Sequence, residues 1–200
     1  MKNYIIFGAP GAGKGTQAKL LADKYGLIHL SSGEILRKEI KSGELGDKIK
    51  KYLASGRLVP GEIIDQIMEK AIKHYKRAKG FIFDGFPRTL SQAKWLDRVL
   101  KHEERPVNAV LKIRINEEEG IKRIIERAKT SGRSDDNRKV IKERFKIYHR
   151  EMHPLIAYYQ KQKKLLIIDG HGPVDEVAKN LIASVEKTLI KKEEKTKTKK

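Results

Sequence analysis

Residues 8–16 read Gly8-Ala9-Pro10-Gly11-Ala12-Gly13-Lys14-Gly15-Thr16, directly after the apolar stretch Tyr4-Ile5-Ile6-Phe7 and before the helix-forming run Gln17-Ala18-Lys19-Leu20-Leu21. Glycines let successive backbone N–H groups turn inward around an anion, and the N-terminus of a following helix adds positive potential. Lys14 has the spacing that lets an ammonium reach the outer phosphates of a nucleoside triphosphate. A glycine-rich turn that binds nothing has no need of strand, lysine and helix in that order, so the chemistry implied is polyphosphate binding. In the general form of this loop a Ser or Thr directly after the lysine ligates a divalent cation. Here Gly15 intervenes and the hydroxyl moves to Thr16.

Three further clusters carry charge suited to phosphate. Phe81-Ile82-Phe83-Asp84-Gly85-Phe86-Pro87-Arg88 is an apolar strand ending in a carboxylate, a glycine turn and an arginine. Asp84 suits a hydrated cation there, and Arg88, after a rigid proline, can grip a phosphate through two parallel hydrogen bonds. Ser31-Ser32-Gly33-Glu34-Ile35-Leu36-Arg37 joins a strand end to a helix start; taken alone, a capping box of Ser31 and Glu34 would account for it. Arg123 and Arg127 stand four apart, hence on one helical face, and Arg133, Arg138 and Arg144 follow, with Asp135 and Asp136 between them. Five arginines in so short a stretch can be ordinary solvated surface. Phosphoryl transfer, however, demands positioned cations around the equatorial oxygens of the moving group. His171, alone in the loop Asp169–Val174, is assigned no chemistry.

The loop GAPGAGKGT resembles that of the adenylate kinase branch of the nucleoside monophosphate kinases. Gly85–Arg88 (GFPR), Gly56–Pro60 (GRLVP) and Glu126–Asn137 (ERAKTSGRSDDN) extend the resemblance, which covers residues 3–190. It implies reversible phosphoryl transfer from Mg·ATP to AMP, giving two ADP. It assigns Gly11, Ala12, Gly13, Lys14, Gly15, Thr16, Arg123, Arg127 and Gly172 to ATP. To AMP it assigns Ser32, Arg37, Arg57, Leu58, Val59, Gly85, Phe86, Pro87, Arg88, Gln92, Arg133 and Arg144. By the same resemblance Arg37 and Arg88 hold the acceptor phosphate and Gln92 its base. Arg123 packs on the donor adenine, Arg127 holds donor phosphates, and Arg133 and Arg144 bridge both substrates. Lys14, Asp84, Arg88, Arg127, Arg133 and Arg144 form the catalytic set, with Asp135 and Asp136 orienting the arginines. Mg2+ is held through phosphate oxygens and water, near Thr16 and Asp84. Five residues separate Arg127 from Arg133, too few for the long lid that often bears zinc in other relatives, so no zinc is expected. Ser32, Thr89 and Gln92 favour AMP as acceptor; the lid SGRSDDN also resembles UMP/CMP kinases, which makes UMP or CMP the alternative.

The elements that must position these groups are legible as patterns. Short β-branched runs recur at Tyr4–Phe7, Leu27–Leu30, Phe81–Phe83, Ala109–Ile115 and Leu165–Ile168. Ile121, Ile124, Ile125 and Ala128 lie on one helical face in 117–129, and Ile63, Ile64, Ile67, Met68 and Ala71 do so in 61–76. Asn116 and Asp136 are expected N-caps, and Pro60 and Pro173 expected helix starts. Alternating strands and helices predict an α/β fold with a parallel sheet, whose ligands sit beyond the carboxyl ends of the strands. The resemblance sharpens this to a P-loop NTPase three-layer α/β/α fold with a five-stranded sheet. An NMP-binding region at 32–60 and a short lid at 127–137 are expected to move inward over the substrates. One kinase domain is expected over 1–190, as a monomer.

Composition narrows the partners. The formal charge is +19, and residues 191–200 (KKEEKTKTKK) hold six lysines and two glutamates, expected as a disordered, solvated tail. The chain contains no cysteine, which excludes a disulfide framework and thiolate metal sites. No run of 18 apolar residues and no signal-peptide core occurs, so a cytoplasmic protein without membrane contact is expected. Aromatic residues are 6% of the chain and form no alternating array, which disfavours nucleic-acid binding. A plain P-loop ATPase would leave GFPR and the Ser32–Arg37 cluster without a use.

Overall fold

The structure, a computed structural model, describes residues 2–42, 45–131, 133 and 135–197. Met1, together with Gly43 and Glu44 of the expected NMP-binding region, Gly132 and Ser134 of the expected lid, and 198–200 of the expected tail lie outside the described residues.

Five strands form one parallel sheet in the order β2-β3-β1-β4-β5: β1 (Lys2–Gly8), β2 (Ile28–Ser31), β3 (Gly80–Asp84), β4 (Ala109–Arg114) and β5 (Leu165–Asp169). The helices are α1 (Lys14–Tyr25), α2 (Ser32–Ser42), α3 (Gly46–Ala54), α4 (Gly61–His74), α5 (Leu90–His102), α6 (Glu117–Ser131), α7 (Arg138–Lys161) and α8 (Val174–Lys197). Alternation along β1 shows how the layers are filled. Tyr4 and Ile6 pack with Ala18 and Leu21 of α1 and Leu181 and Val185 of α8, while Ile5 and Phe7 join Met68 of α4, Leu96 of α5 and Tyr159 of α7. Burial on both faces is why the strands read as nearly continuous apolar runs rather than as polar–apolar alternation.

β3 lies between β2 and β1, and Phe81, Ile82 and Phe83 are all fully buried. Each such side chain contributes about 1.5–3 kcal/mol by leaving water, so the carboxylate that follows, Asp84, stands on a firmly anchored element. The register brings Ser31 and Ile6 opposite Asp84, and Arg114 opposite Asp169, so every chemically marked loop leaves the same edge of the sheet.

Asn116 caps α6 by accepting from Glu119 N–H (2.8 Å), and Pro60 and Pro173 directly precede α4 and α8. The expected cap at Asp136 is corrected: Asn137 accepts from Val140 N–H (3.1 Å) and caps α7. Asp136 turns inward to arginines instead, because two guanidiniums attract a buried carboxylate more strongly than one amide does. α8 continues to Lys197, so its helix runs into the Lys-rich segment that composition assigns to a tail. Among the described residues no helix is long and apolar enough to cross a membrane.

Candidate active site

A cleft of about 1120 Å3 opens at the carboxyl edge of the sheet, and a pocket of about 60 Å3 adjoins it beside α2 and α5. The phosphate loop, leaving β1, forms the floor. Gly11 and Gly13 take positive φ (81° and 76°), and Ala12 N–H closes the turn on Ala9 O (3.1 Å). Gly11 is also a point of contact: a Cβ there would collide with the backbone of Gly120, and one on Gly120 would collide with Pro10 O. Two glycines therefore let the loop seat directly against α6, the helix that carries Arg123 and Arg127. Gly120 escapes sequence reasoning, because nothing local marks a helical glycine as a docking point.

Lys14 donates from Nζ to Gly8 O (2.9 Å) and Ala9 O (2.8 Å). Burial pushes its pKa down to about 8; Asp84 opposes the shift, while Arg88, Arg127 and Arg144 add to it. Asp84 is 9% exposed, and its Oδ2 lies 3.4 Å from Nε2 of His29. Burial alone would raise the Asp84 pKa. The His29 hydrogen bond and the charges of Lys14, His29 and Arg88 outweigh burial and hold it below the usual carboxylate range. His29 is a second residue that sequence reasoning misses: only the pairing of β2 with β3 brings it to Asp84.

At the other end of the cleft Gly85, at φ 71°, turns the chain after β3. Its carbonyl accepts from Ser32 Oγ (2.8 Å) and from Arg88 Nε (2.8 Å), tying α2 to the GFPR turn. Gln92 Oε1 accepts from Arg88 N–H (2.7 Å), and Thr89 caps α5 through Gln92 N–H (3.3 Å). Arg88 is exposed by surface area yet lies deep in the cleft, and the protein around it still desolvates the guanidinium and lowers its pKa, with Asp84 opposing. Ser32, Arg37, Arg57, Leu58, Val59, Gly85, Phe86, Arg88, Gln92 and Arg144 all line the smaller pocket, and Pro87 and Arg133 line the larger.

The arginines meet between the two ends. Arg127 forks onto Asp136 (Nε 2.9 Å, Nη2 2.7 Å), and Arg144 reaches the same carboxylate (3.3 Å) and also pairs with Asp135. The side chain of Asp136 is wholly buried. Arg144 has its pKa lowered to about 10, first by burial and then by Arg88, Arg127, Arg133 and Arg37, so these five cations act on one volume. Arg37 is lowered for the same reasons: burial first, then Arg133, with Arg127 adding and Glu34 and Asp136 opposing. Gly56, at φ 73°, lets the Gly56–Pro60 segment abut α7, where an added Cβ would stand 3.0 Å from Val140 O and 3.5 Å from Arg144 Cγ.

At the phosphate-loop end Arg123 is fixed twice, by Glu119 Oε1 (2.7 Å) and by Gly170 O (3.1 Å), which bridges α6 to the loop before α8. Glu119 is a third residue not singled out from the sequence, although its i,i+4 spacing to Arg123 is the signal for it. Gly11, Ala12, Gly13, Lys14, Gly15, Thr16, Arg123, Arg127 and Gly172 all line this cleft. His171 hydrogen-bonds Asp169 (2.6 Å) beside it, and Arg138 is an exposed residue of α7 outside it.

Asp84 is the carboxylate beside Lys14, and among the described residues no three His, Cys, Asp or Glu cluster as a metal cage. This donor set fits a magnesium ion carried in by phosphate oxygens and water, with Asp84 and Thr16 beside it, rather than one held by protein ligands alone.

Comparison with known proteins agrees with this geometry. The family model described as adenylate kinase matches residues 6–164. A protein of Phocaeicola vulgatus named adenylate kinase is 44% identical over 188 residues, covering 94% of this chain and 100% of the relative. One of Parabacteroides distasonis with the same name is 47% identical over 178 residues, covering 88% of this chain and 94% of the relative. A phosphate loop seated against an arginine-bearing helix, a second, arginine-lined pocket across the cleft and this extent of similarity together make the chain a member of the adenylate kinase family.

Proposed function

We propose that the cleft transfers the γ-phosphoryl group of Mg·ATP to AMP, reversibly, giving two ADP. One observation carries the reading: a single cleft has a lysine-bearing phosphate loop at one end and the Ser32–Arg88–Gln92 pocket at the other, with five arginines facing the space between. ATP lies along the phosphate loop with its β- and γ-phosphates at Lys14 and its adenine between Arg123 and Gly172. AMP lies in the smaller pocket, its phosphate at Arg37 and Arg88 and its base toward Gln92. With Oε1 of Gln92 engaged by Arg88 N–H, the amide NH2 is the part left to read the base.

A nucleoside monophosphate is mostly a dianion near neutral pH, because its second pKa is about 6. An AMP phosphate oxygen can therefore attack the γ-phosphorus without a general base. The bond from the γ-phosphorus to the bridging oxygen breaks, and ADP leaves with the charge. The chain's own work is to align two polyanions and cancel their repulsion. Arg133 and Arg144 meet the equatorial oxygens, Lys14 and Arg127 the donor phosphates. Asp84 and Thr16 would hold Mg2+ through its water shell, and the ion would supply charge neutralisation on the donor phosphates. Segments 32–60 and 127–137 close over the substrates and keep water from replacing AMP as acceptor.

The test is ADP formation from Mg·ATP against AMP, CMP, UMP, GMP and dAMP. AMP should be turned over with the highest kcat/KM of the panel. Equal turnover without any acceptor, or preference for CMP or UMP, overturns it.

A further inference from the structure

The edge of the sheet opposite the cleft carries a second concentration of positive charge, one that the kinase reading does not use. The loops entering β1, β2, β3 and β5 all emerge there, bringing together Lys2, Lys24, Lys76, Arg77, Lys79 and Lys164 from four separate segments. Backbone proximities tie these segments to one another. Lys2 N–H donates to Lys79 O (3.2 Å), a Cβ built on Gly26 in the α1–β2 turn would stand 3.8 Å from the Lys79 side chain, and Val110 N–H, on the strand beside β1, donates to Lys164 O (2.8 Å). Beneath them Arg105, 4% exposed, donates to Lys76 O (3.0 Å) and Ala78 O (2.5 Å) and lies 4.7 Å over the Phe81 ring. Its partners are main-chain carbonyls and a ring rather than a carboxylate, so its charge adds to the outward field. Glu186 meets Lys24 (3.6 Å), and Glu103 and Glu104 stand in the α5–β4 turn; the remaining balance of the face is positive.

Two aromatic rings are interleaved with the cations. Tyr25 has Lys2 and Lys24 over its ring (5.1 and 5.9 Å). Tyr75, 40% exposed, meets His74 edge-on at 4.6 Å. Along the chain these rings are 50 residues apart; the pairing of β2 with β3 sets their loops side by side. We infer that this face binds single-stranded nucleic acid, with phosphates on the lysines and Arg77 and bases stacking on Tyr75 and Tyr25. The exposed Tyr75 ring, with the half-buried Tyr25 ring beside it, suits bases on a phosphate backbone among these cations. A lipid surface would seek apolar anchors, and Tyr75 is the large exposed hydrophobic side chain that this face offers. The cleft and this face lie at opposite edges of the sheet, so both can be occupied at once.

The test measures anisotropy of a fluorescein-labelled oligouridylate of about 15 nucleotides with the full chain, AMP and a non-hydrolysable ATP analogue being present at saturation to fill the cleft. Binding should persist under that saturation, and log affinity should fall linearly with log salt, by about 0.7 per phosphate contacted. The triple variant K76E/R77E/K79E should lose at least about tenfold in affinity and Tyr75→Ala several-fold, with ADP formation unchanged in both. The control K142E/K146E on α7 should bind RNA like the parent. Displacement of RNA by the saturating nucleotides, equal loss in the control, or binding to anionic phospholipid vesicles with none to RNA overturns the assignment. Because kinase turnover is read in parallel, failure of this inference is distinct from failure of the kinase reading.

Discussion

Asp136 offers the sharpest handle on how the cleft holds its arginines. Its buried carboxylate accepts from Nε and Nη2 of Arg127 and from Nη1 of Arg144. Asp136→Ala leaves those two guanidiniums facing each other, and facing Arg37, Arg88 and Arg133, without their shared counter-charge. Removing one partner of a buried ion pair costs about 3–5 kcal/mol. Arg127 and Arg144 keep 38% and 20% of their side-chain surface in solvent, so hydration recovers part of that, and the expected loss is roughly 2–3 kcal/mol. For a chain of this size that lowers Tm by roughly 5–10 °C. Turnover should fall about 10²-fold, the order expected when reacting groups are displaced by about an ångström. Substrate phosphates supply the missing negative charge, so AMP with a non-hydrolysable ATP analogue should raise the Tm of the variant more than that of the parent. Calorimetry with and without nucleotides, beside coupled ADP kinetics, measures all three quantities. If Asp136→Ala keeps turnover within about threefold, or if ligands stabilise it no more than the parent, the carboxylate does not organise these arginines and the reasoning fails.

Other outcomes follow from the same geometry. Lys14 has its pKa lowered from 10.5 to about 8; since phosphate binds its charged form, ATP affinity should weaken as pH rises through about 8, and Lys14→Met should flatten that dependence in a binding titration. The sign for stability is opposite: between about 8 and 10.5 the unfolded chain holds more protons at this site, so Lys14's contribution to unliganded stability rises with pH. Gly85→Ala forces a non-glycine residue to φ 71° and brings a Cβ to 2.7 Å from Ser32 Oγ and 3.1 Å from Arg88 Nη2; steady-state kinetics should show KM for AMP raised more than about tenfold, with KM for ATP nearly unchanged. Arg133→Ala and Arg144→Ala should each lower kcat by about 10³, and a drop under tenfold in a folded variant counts against their transition-state role.

The amino-acid sequence alone determines the elements and the phosphate loop, because both are written in local terms. A parallel strand buried on both faces has to be a short apolar run, and β3 can be read from Phe81-Ile82-Phe83 as surely as from its coordinates. The loop needs glycines and a lysine at fixed spacing, and Gly8–Thr16 supplies them within nine consecutive residues. The residues assigned to ATP and AMP could be named through their motifs, but not why they converge. His29 reaches Asp84 only through strand pairing, and Gly120 matters only because Pro10 and Gly11 come down on it. Asp136, which reads locally as a helix cap, serves Arg127 and Arg144 once tertiary structure offers stronger partners than an amide. The same holds at the far edge of the sheet, where Tyr25 and Tyr75 are unremarkable until β2 and β3 lie side by side. Periodicity and motif act over a few residues, whereas the field around a carboxylate or an arginine depends on whatever the fold brings within several ångströms, and chain order carries no measure of that distance.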